Sequence, residues 1–141
     1  MFLDTAFPYP IFMGIDDLIA ALSTAPAAAL FSDEVVLEDH GQSMVYIGRE
    51  AVISVLRAYF GEGFPDGRMC LHTTLCNEQA AVLAFTFRGR QERVFLGIPA
   101  TGREVAVPMI LFCDTANQQI QRIACYYDAG TLLRQLGLSI A

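Results

Sequence analysis

FLGIPATGREVAVPMILFCDTANQQIQRIACYYDAGTLLRQLGL, Phe95 to Leu138, reads as strand, tight turn, strand, turn, strand and short helix, with little left over. Strands of this length, joined by short turns, make an antiparallel meander that buries at least one face. Pro99–Gly102 supplies turn chemistry, and Gly137 closes the final helix. Arg103 to Cys113 and Gln119 to Tyr127 are the last two strands. Pro108 cannot donate to a ladder, so it marks a bulge or an edge.

Upstream, the sheet continues through Gln91 to Ile98. Before it stand two strands, Met69 to Cys76 and Ala80 to Arg88, joined at Asn77-Glu78. Ala81, Leu83, Phe85 and Phe87 alternate with Val82, Ala84 and Thr86, and both faces are largely apolar, so both are expected to be covered. Phe64-Pro65-Asp66-Gly67 is a turn. Before that turn, Ala51, Val52, Val55, Leu56, Tyr59 and Phe60 recur at helical spacing, with Gly48 ahead and Gly61 and Gly63 behind. Glu34 to Asp39 is a strand with Val35, Leu37 and Asp39 on one face; Met44 to Ile47 returns beside it. Ile15 to Leu22 and Pro26 to Phe31 read as helices, the second with Pro in its first turn. Residues 1–14 read as an irregular arm. No repeat, linker or second domain interrupts the 141 residues, which suit one domain, 1–141. The expected class is α+β: a curved antiparallel or mixed sheet wrapped over about three helices from the N-terminal half, with a short C-terminal helix.

The apolar fraction is 54% and the charged fraction 17%, which leaves apolar residues for a large core, an interior pocket or a partner subunit. Ten Phe and five Tyr suit a cavity for a flat, greasy ligand. A net charge of −6 with scattered Lys and Arg argues against nucleic acid. Four cysteines without a C-x-x-C pair and two histidines give no zinc spacing; they read as reduced core thiols of a cytoplasmic protein. The N-terminus lacks a basic region and is broken by Pro8 and Pro10, so a signal peptide is not expected. No apolar run reaches the ~18 residues of a membrane span.

GIPATGREV, YYDAGTLLRQLG, the turn Phe64-Pro65-Asp66 and the GREA that opens the third helix together resemble the SnoaL-like polyketide cyclases of the nuclear-transport-factor-2-like superfamily, over roughly Phe31 to Leu138. The resemblance implies a cone-shaped α+β barrel around an apolar cavity, a homodimer, no cofactor, and acid–base chemistry on polyketide or fused-ring substrates. The chain departs from the pattern in two places. Gln91 stands where members often carry a His, and Ile123-Ala124-Cys125 stands where many have His-Trp-Asp. The first-strand pattern also resembles ketosteroid isomerases, whose general-base Asp lies nine residues before the helix-opening glycine, as Asp39 lies before Gly48. The oxyanion donors of those enzymes have no counterpart near Ile15 or at Met109 or Ile110.

Asp39 is the foremost catalytic candidate. It ends an apolar strand face, and a carboxylate at the rim of an apolar cavity can serve as a base; the plainer reading is a polar turn residue in Asp39-His40-Gly41. Asp128 is the second, as an acid, although it also suits the N-cap of the last helix. His40, Phe60, Phe64, Asp66, Phe85, Phe87, Gln91 and Met109 are candidates for substrate contact, each also readable as core, turn or surface. No metal site is expected. The functional expectation is an acid–base enzyme on a small apolar carbonyl compound, performing an aldol-type cyclisation or isomerisation, with Asp128 or a tyrosine donating a proton. The alternatives are a ligand-binding or dimerisation module on the same scaffold, or an assembly domain without a pocket.

Overall fold

The computed structural model describes residues 28–138. A single 3-10 turn, Ala28–Leu30, leads into β1 (Phe31–Asp39) and β2 (Met44–Ile47). Helix α1 (Arg49–Arg57) follows and runs into a π-helical turn, Ala58–Glu62. Then come β3 (Arg68–Cys76), β4 (Ala80–Arg90), β5 (Glu104–Ala116), β6 (Gln119–Tyr127) and α2 (Ala129–Gln135). The six strands form one sheet in the order β2-β1-β6-β5-β4-β3. Only β1 and β6 pair in parallel; the remaining neighbours are antiparallel. The sheet is curved but does not close into a barrel, because β2 and β3 remain as edges.

The inner face carries the core. Val35 and Leu37 of β1 are fully buried, and Asp39, two residues further on the same face, is 1% exposed. This follows from the two-residue period of a strand, which points all three the same way. Across the sheet Leu83, Phe85, Phe87, Val107, Leu111, Ile123 and Cys125 join that face. Helix α1 covers it with Val52, Ile53 and Leu56, and the π turn adds Tyr59 and Phe60. Phe60, Phe64, Phe87 and Phe95 form an edge-to-face series with centroids 5.0–5.4 Å apart. Such contacts contribute about 0.5–1.5 kcal/mol each beyond area burial.

Pro108 lies one residue past the last β5–β6 pair, Met109↔Tyr127, so β5 has lost its β6 neighbour where the missing N–H would be felt. Helix α2 covers that vacated edge. The Gln135 side chain accepts from the Ala106 N–H at 2.7 Å and donates to the Ala106 carbonyl at 3.0 Å, standing in for the absent strand.

Three expectations are corrected. β4 ends at Arg90, and residues 91–103 form a loop rather than a continuing strand. Its tip is a tight turn in which Phe95 and Ile98 exchange both backbone bonds, with Leu96 and Gly97 at positive φ. The buried Gln91 amide organises that loop from within, which is why a polar residue ends the strand there. β1 begins at Phe31 rather than Glu34, and Ala28–Leu30 of the expected second helix form the 3-10 turn, while Pro26 and Ala27 lie outside the described residues. Of the about three helices expected from the N-terminal half, the described residues hold one α-helix, α1, beside the expected short C-terminal helix α2; the expected helix at Ile15 to Leu22 and the arm at 1–14 lie outside them. Among the described residues no helix is long and apolar enough to cross a membrane.

Candidate functional site

Asp39 is held by four donors. Its Oδ1 accepts the Gln42 backbone N–H at 2.9 Å, and Oδ2 accepts the Gln42 amide at 3.0 Å. The same Oδ2 accepts the hydroxyls of Tyr59 and of Tyr127, the latter at 2.9 Å. Gln42 also donates to the Tyr127 oxygen at 2.9 Å, so the cluster is cross-linked. A buried carboxylate costs several kcal/mol unless it is hydrogen-bonded, and here both oxygens are satisfied.

The three donor residues reach Asp39 from different parts of the fold. Gln42 sits in the β1–β2 turn, three residues on. Tyr59 comes from the π turn, an irregularity often found at functional sites. Tyr127 ends β6, whose parallel pairing places Cys125 beside Asp39. Gly41 makes room for the Tyr127 ring: a Cβ there would lie 2.5–2.8 Å from three of its atoms.

Burial, then the hydrogen bond to Asp39 and its negative charge, hold the Tyr59 phenol proton far above its ordinary range. Burial likewise leads for Tyr127; the Gln42 bond opposes it and the Asp39 charge adds to it. Both phenols are therefore neutral donors near neutrality. Cys125 is raised by burial first and then by Asp39, while Cys113, also buried, is pushed up to about 12. Neither thiol is a nucleophile in this state.

The two tyrosines line an apolar cavity of about 30 Å³ together with Phe60, Phe64, Phe87, Phe95, Val107, Met109 and Leu132. That is room for about one water molecule. Tyr59 and Tyr127 line it, their hydroxyls bonded to Asp39, which is not itself in the lining.

The residues expected at the site divide accordingly. Phe60, Phe64, Phe87 and Met109 line the cavity. Phe85 is buried against Phe60, centroids 6.3 Å apart, outside the lining. Gln91, fully buried, donates to the carbonyls of Ile98 (2.9 Å) and Pro99 (3.2 Å) and accepts from the backbone and hydroxyl of Thr101. Asp66 accepts the Arg90 N–H at 2.7 Å and borders a separate, open polar depression with Arg68, Arg88 and Gln135. His40 lies on the outward face, stacked on Tyr126 at 4.4 Å and bonded to Glu38 at 3.1 Å.

Asp128 caps α2. It accepts from Gly130 N–H at 3.0 Å and the Thr131 hydroxyl at 2.7 Å, bonds that hold its carboxyl below the ordinary carboxylate range. It is exposed and is not brought to the Asp39 cluster. Tyr59, Tyr127 and Gln42 were not singled out for the site by sequence. The residues of Tyr127-Asp128 and Asp39-His40-Gly41-Gln42 carried the only signal. Among the described residues no group of three or more His, Cys, Asp or Glu is placed to hold a metal ion.

The sequence matches the SnoaL-like polyketide cyclase profile over residues 14–136. The chain belongs to the SnoaL-like polyketide cyclase family. Solved structures agree at the level of fold. A SnoaL-like protein from Jannaschia sp. CCS1 superposes with a TM-score of 0.77 at 18% identity, covering 94% of this chain and 97% of that one. TsrD from Streptomyces laurentii gives 0.71 at 24% identity, covering 89% and 92%. A ketosteroid isomerase-like protein from Catenulispora acidiphila, solved in complex with trimethylamine, gives 0.71 at 19%, covering 89% and 92%. A comparison with curated proteins yields no match. A SnoaL-like scaffold thus presents two neutral phenols and, bonded to them, a buried carboxylate.

Proposed function

We propose that this SnoaL-like chain is an acid–base enzyme acting on a small apolar carbonyl compound, by aldol-type cyclisation or isomerisation, with Asp39 as the proton acceptor. The observation that carries this reading is the convergence of two cavity-lining phenols on one buried carboxylate oxygen. A neutral phenol cannot by itself take a proton from carbon. A phenol bonded to a carboxylate can relay one. As the substrate C–H bond breaks, its proton passes to one hydroxyl oxygen while that hydroxyl's own proton passes to Asp39 Oδ2. The electron pair left on carbon delocalises into the carbonyl, and the other phenol turns to donate to the resulting enolate oxygen. After the new bond forms, or after the double bond moves, Asp39 returns the proton by the same route. General acid–base catalysis of this kind contributes ~10²–10⁴-fold. Asp128, engaged as a helix cap, has no part in it.

Deuterium exchange into the α-carbon of ethyl benzoylacetate, followed by proton NMR in D₂O, tests the reading. The protein is expected to accelerate exchange over buffer; no acceleration for any of a small set of aryl β-ketoesters and 1,3-diketones would contradict it. A second reading, a ligand-binding module, draws on the fact that both phenols already donate to Asp39 and that the rest of the lining is apolar. It predicts thermal stabilisation by such compounds without exchange.

The functional unit in this proposal is a homodimer in the cytoplasm. Val45, Ile47, Leu75, Ile110 and Tyr126 all lie on the outward face at 44–72% exposure, and Ile110 and Tyr126 are direct cross-strand partners. A second copy of the same face is the simplest cover. The buried, unoxidised thiols of Cys113 and Cys125 suit a reducing compartment.

A further inference from the structure

A ring-bearing ligand needs about 300 Å³ or more, whereas the cavity holds about 30 Å³. One wall of the cavity has to move, and the walls are not equally fixed. Phe87, Val107, Met109 and Tyr127 are built into paired strands, Tyr59 and Phe60 into the π turn, and Leu132 into α2, which Gln135 ties to β5; Phe64 is held in the following tight turn, its N–H on the Gly61 carbonyl at 3.1 Å and its carbonyl accepting the Gly67 N–H at 2.8 Å. Phe95 alone rides on the 91–103 loop.

That loop is organised internally as a unit. Gln91 binds Ile98, Pro99 and Thr101 within it, and two backbone bonds close its base, Gln91 N–H to Arg103 O and Gly102 N–H to Gln91 O, both 2.9 Å. Its backbone is tied to the Gly63 carbonyl by Glu92 and Arg93 N–H, at 3.0 and 3.3 Å. Gly63 is a seat for Phe95: a Cβ there would meet the Phe95 Cβ at 2.7 Å. The neighbours of Phe95, Val94 and Leu96, are already 62% and 42% exposed, so lifting the tip uncovers little else. Phe95 itself is 5% exposed, its ring against Phe64.

We propose that Phe95 is the size-determining residue of this site, occupying in the unliganded protein the place an aromatic ring of the ligand takes when the 91–103 loop lifts. This rests on the cavity reading above and is tested by binding alone, so it can fail while proton exchange is observed, and the reverse. The probe is 2-naphthol, flat and apolar with one hydroxyl to meet the tyrosines, titrated by its own fluorescence. Phe95→Ala is expected to bind it at least tenfold more tightly than the native chain, because no ring has to be displaced. Phe85→Ala, which removes an equally buried ring outside the lining, is expected to show no such gain. Should Phe95→Ala fail to fold, Phe95→Leu is expected to show a smaller gain in the same direction. Equal affinity of the native chain and the folded Phe95 variant would overturn the proposal, and so would an equal gain in Phe85→Ala.

Discussion

Tyr127 donates its hydroxyl to Asp39 at 2.9 Å, on the same carboxylate oxygen that accepts Tyr59. The bond joins the end of β6 to the end of β1, the one parallel pair in the sheet. It depends on a residue that makes no bond of its own to either, Gly41.

Gly41→Ala is therefore expected to uncouple the pair. Its Cβ would fall within 3 Å of the Tyr127 ring, and the ring has to swing away from Asp39 to admit it. Left without a partner, a buried hydroxyl or carboxylate lone pair costs ~1–3 kcal/mol. Urea unfolding should show a fall of that order, with little further loss when Tyr127→Phe is added to Gly41→Ala, since the bond is already broken. Full additivity would show that Gly41 does not seat the ring.

The alkaline limb of stability follows from the phenols. Tyr59 and Tyr127 have folded values raised above the ordinary 10, by burial first in each case. A raised folded value means the contribution is fully present below about pH 10 and is lost as pH rises beyond it, since the unfolded chain releases those protons first. Tyrosinate absorbance near 295 nm should show these two phenols titrating only with unfolding, and the Tyr59→Phe/Tyr127→Phe protein should lose less stability between neutral pH and pH 11.

Glu38 sets an acid limb. Its hydrogen bonds from Arg122 lead a shift below the ordinary 4.5, and Arg122 also bonds Asp114. A depressed folded value contributes stability above about pH 4.5 that is lost as pH falls through the lower folded value. Glu38→Gln should cost on the order of 1 kcal/mol at pH 7, given the partly exposed pair. The difference from the native chain should shrink as pH falls below about 4.5; a difference that did not shrink with falling pH would place the effect in packing instead.

Asp128→Ala should lower stability through loss of the cap of α2, and Asp128→Asn should recover most of the loss, because asparagine caps equally well. Helical circular dichroism and thermal melts would read both. Equal loss in the two variants would mean the charge, not the cap, is what α2 needs.

Much of this was legible in the sequence. The alternation of Val35, Leu37 and Asp39 is enough to turn the carboxylate inward, and β6 has the bounds its residues imply. The place of Gln91 is not legible, because its partners are loop backbone groups and the Thr101 hydroxyl, which no period reveals. Tyr59 read as one more apolar position on a helix. Its hydroxyl has a role only once the π turn, β1 and β6 are brought to one point, and that convergence is a tertiary fact. Asp128 drew notice from its motif, yet local cap chemistry accounts for it.

In the proposed reaction Asp39 receives the proton. The most direct measurement is the rate of α-deuterium exchange catalysed by Asp39→Asn, which keeps the shape and an acceptor oxygen for the tyrosines but removes the basic charge. The account predicts a fall of about 10²–10⁴-fold relative to the native protein, with the fold retained. Exchange at the native rate in Asp39→Asn would contradict it.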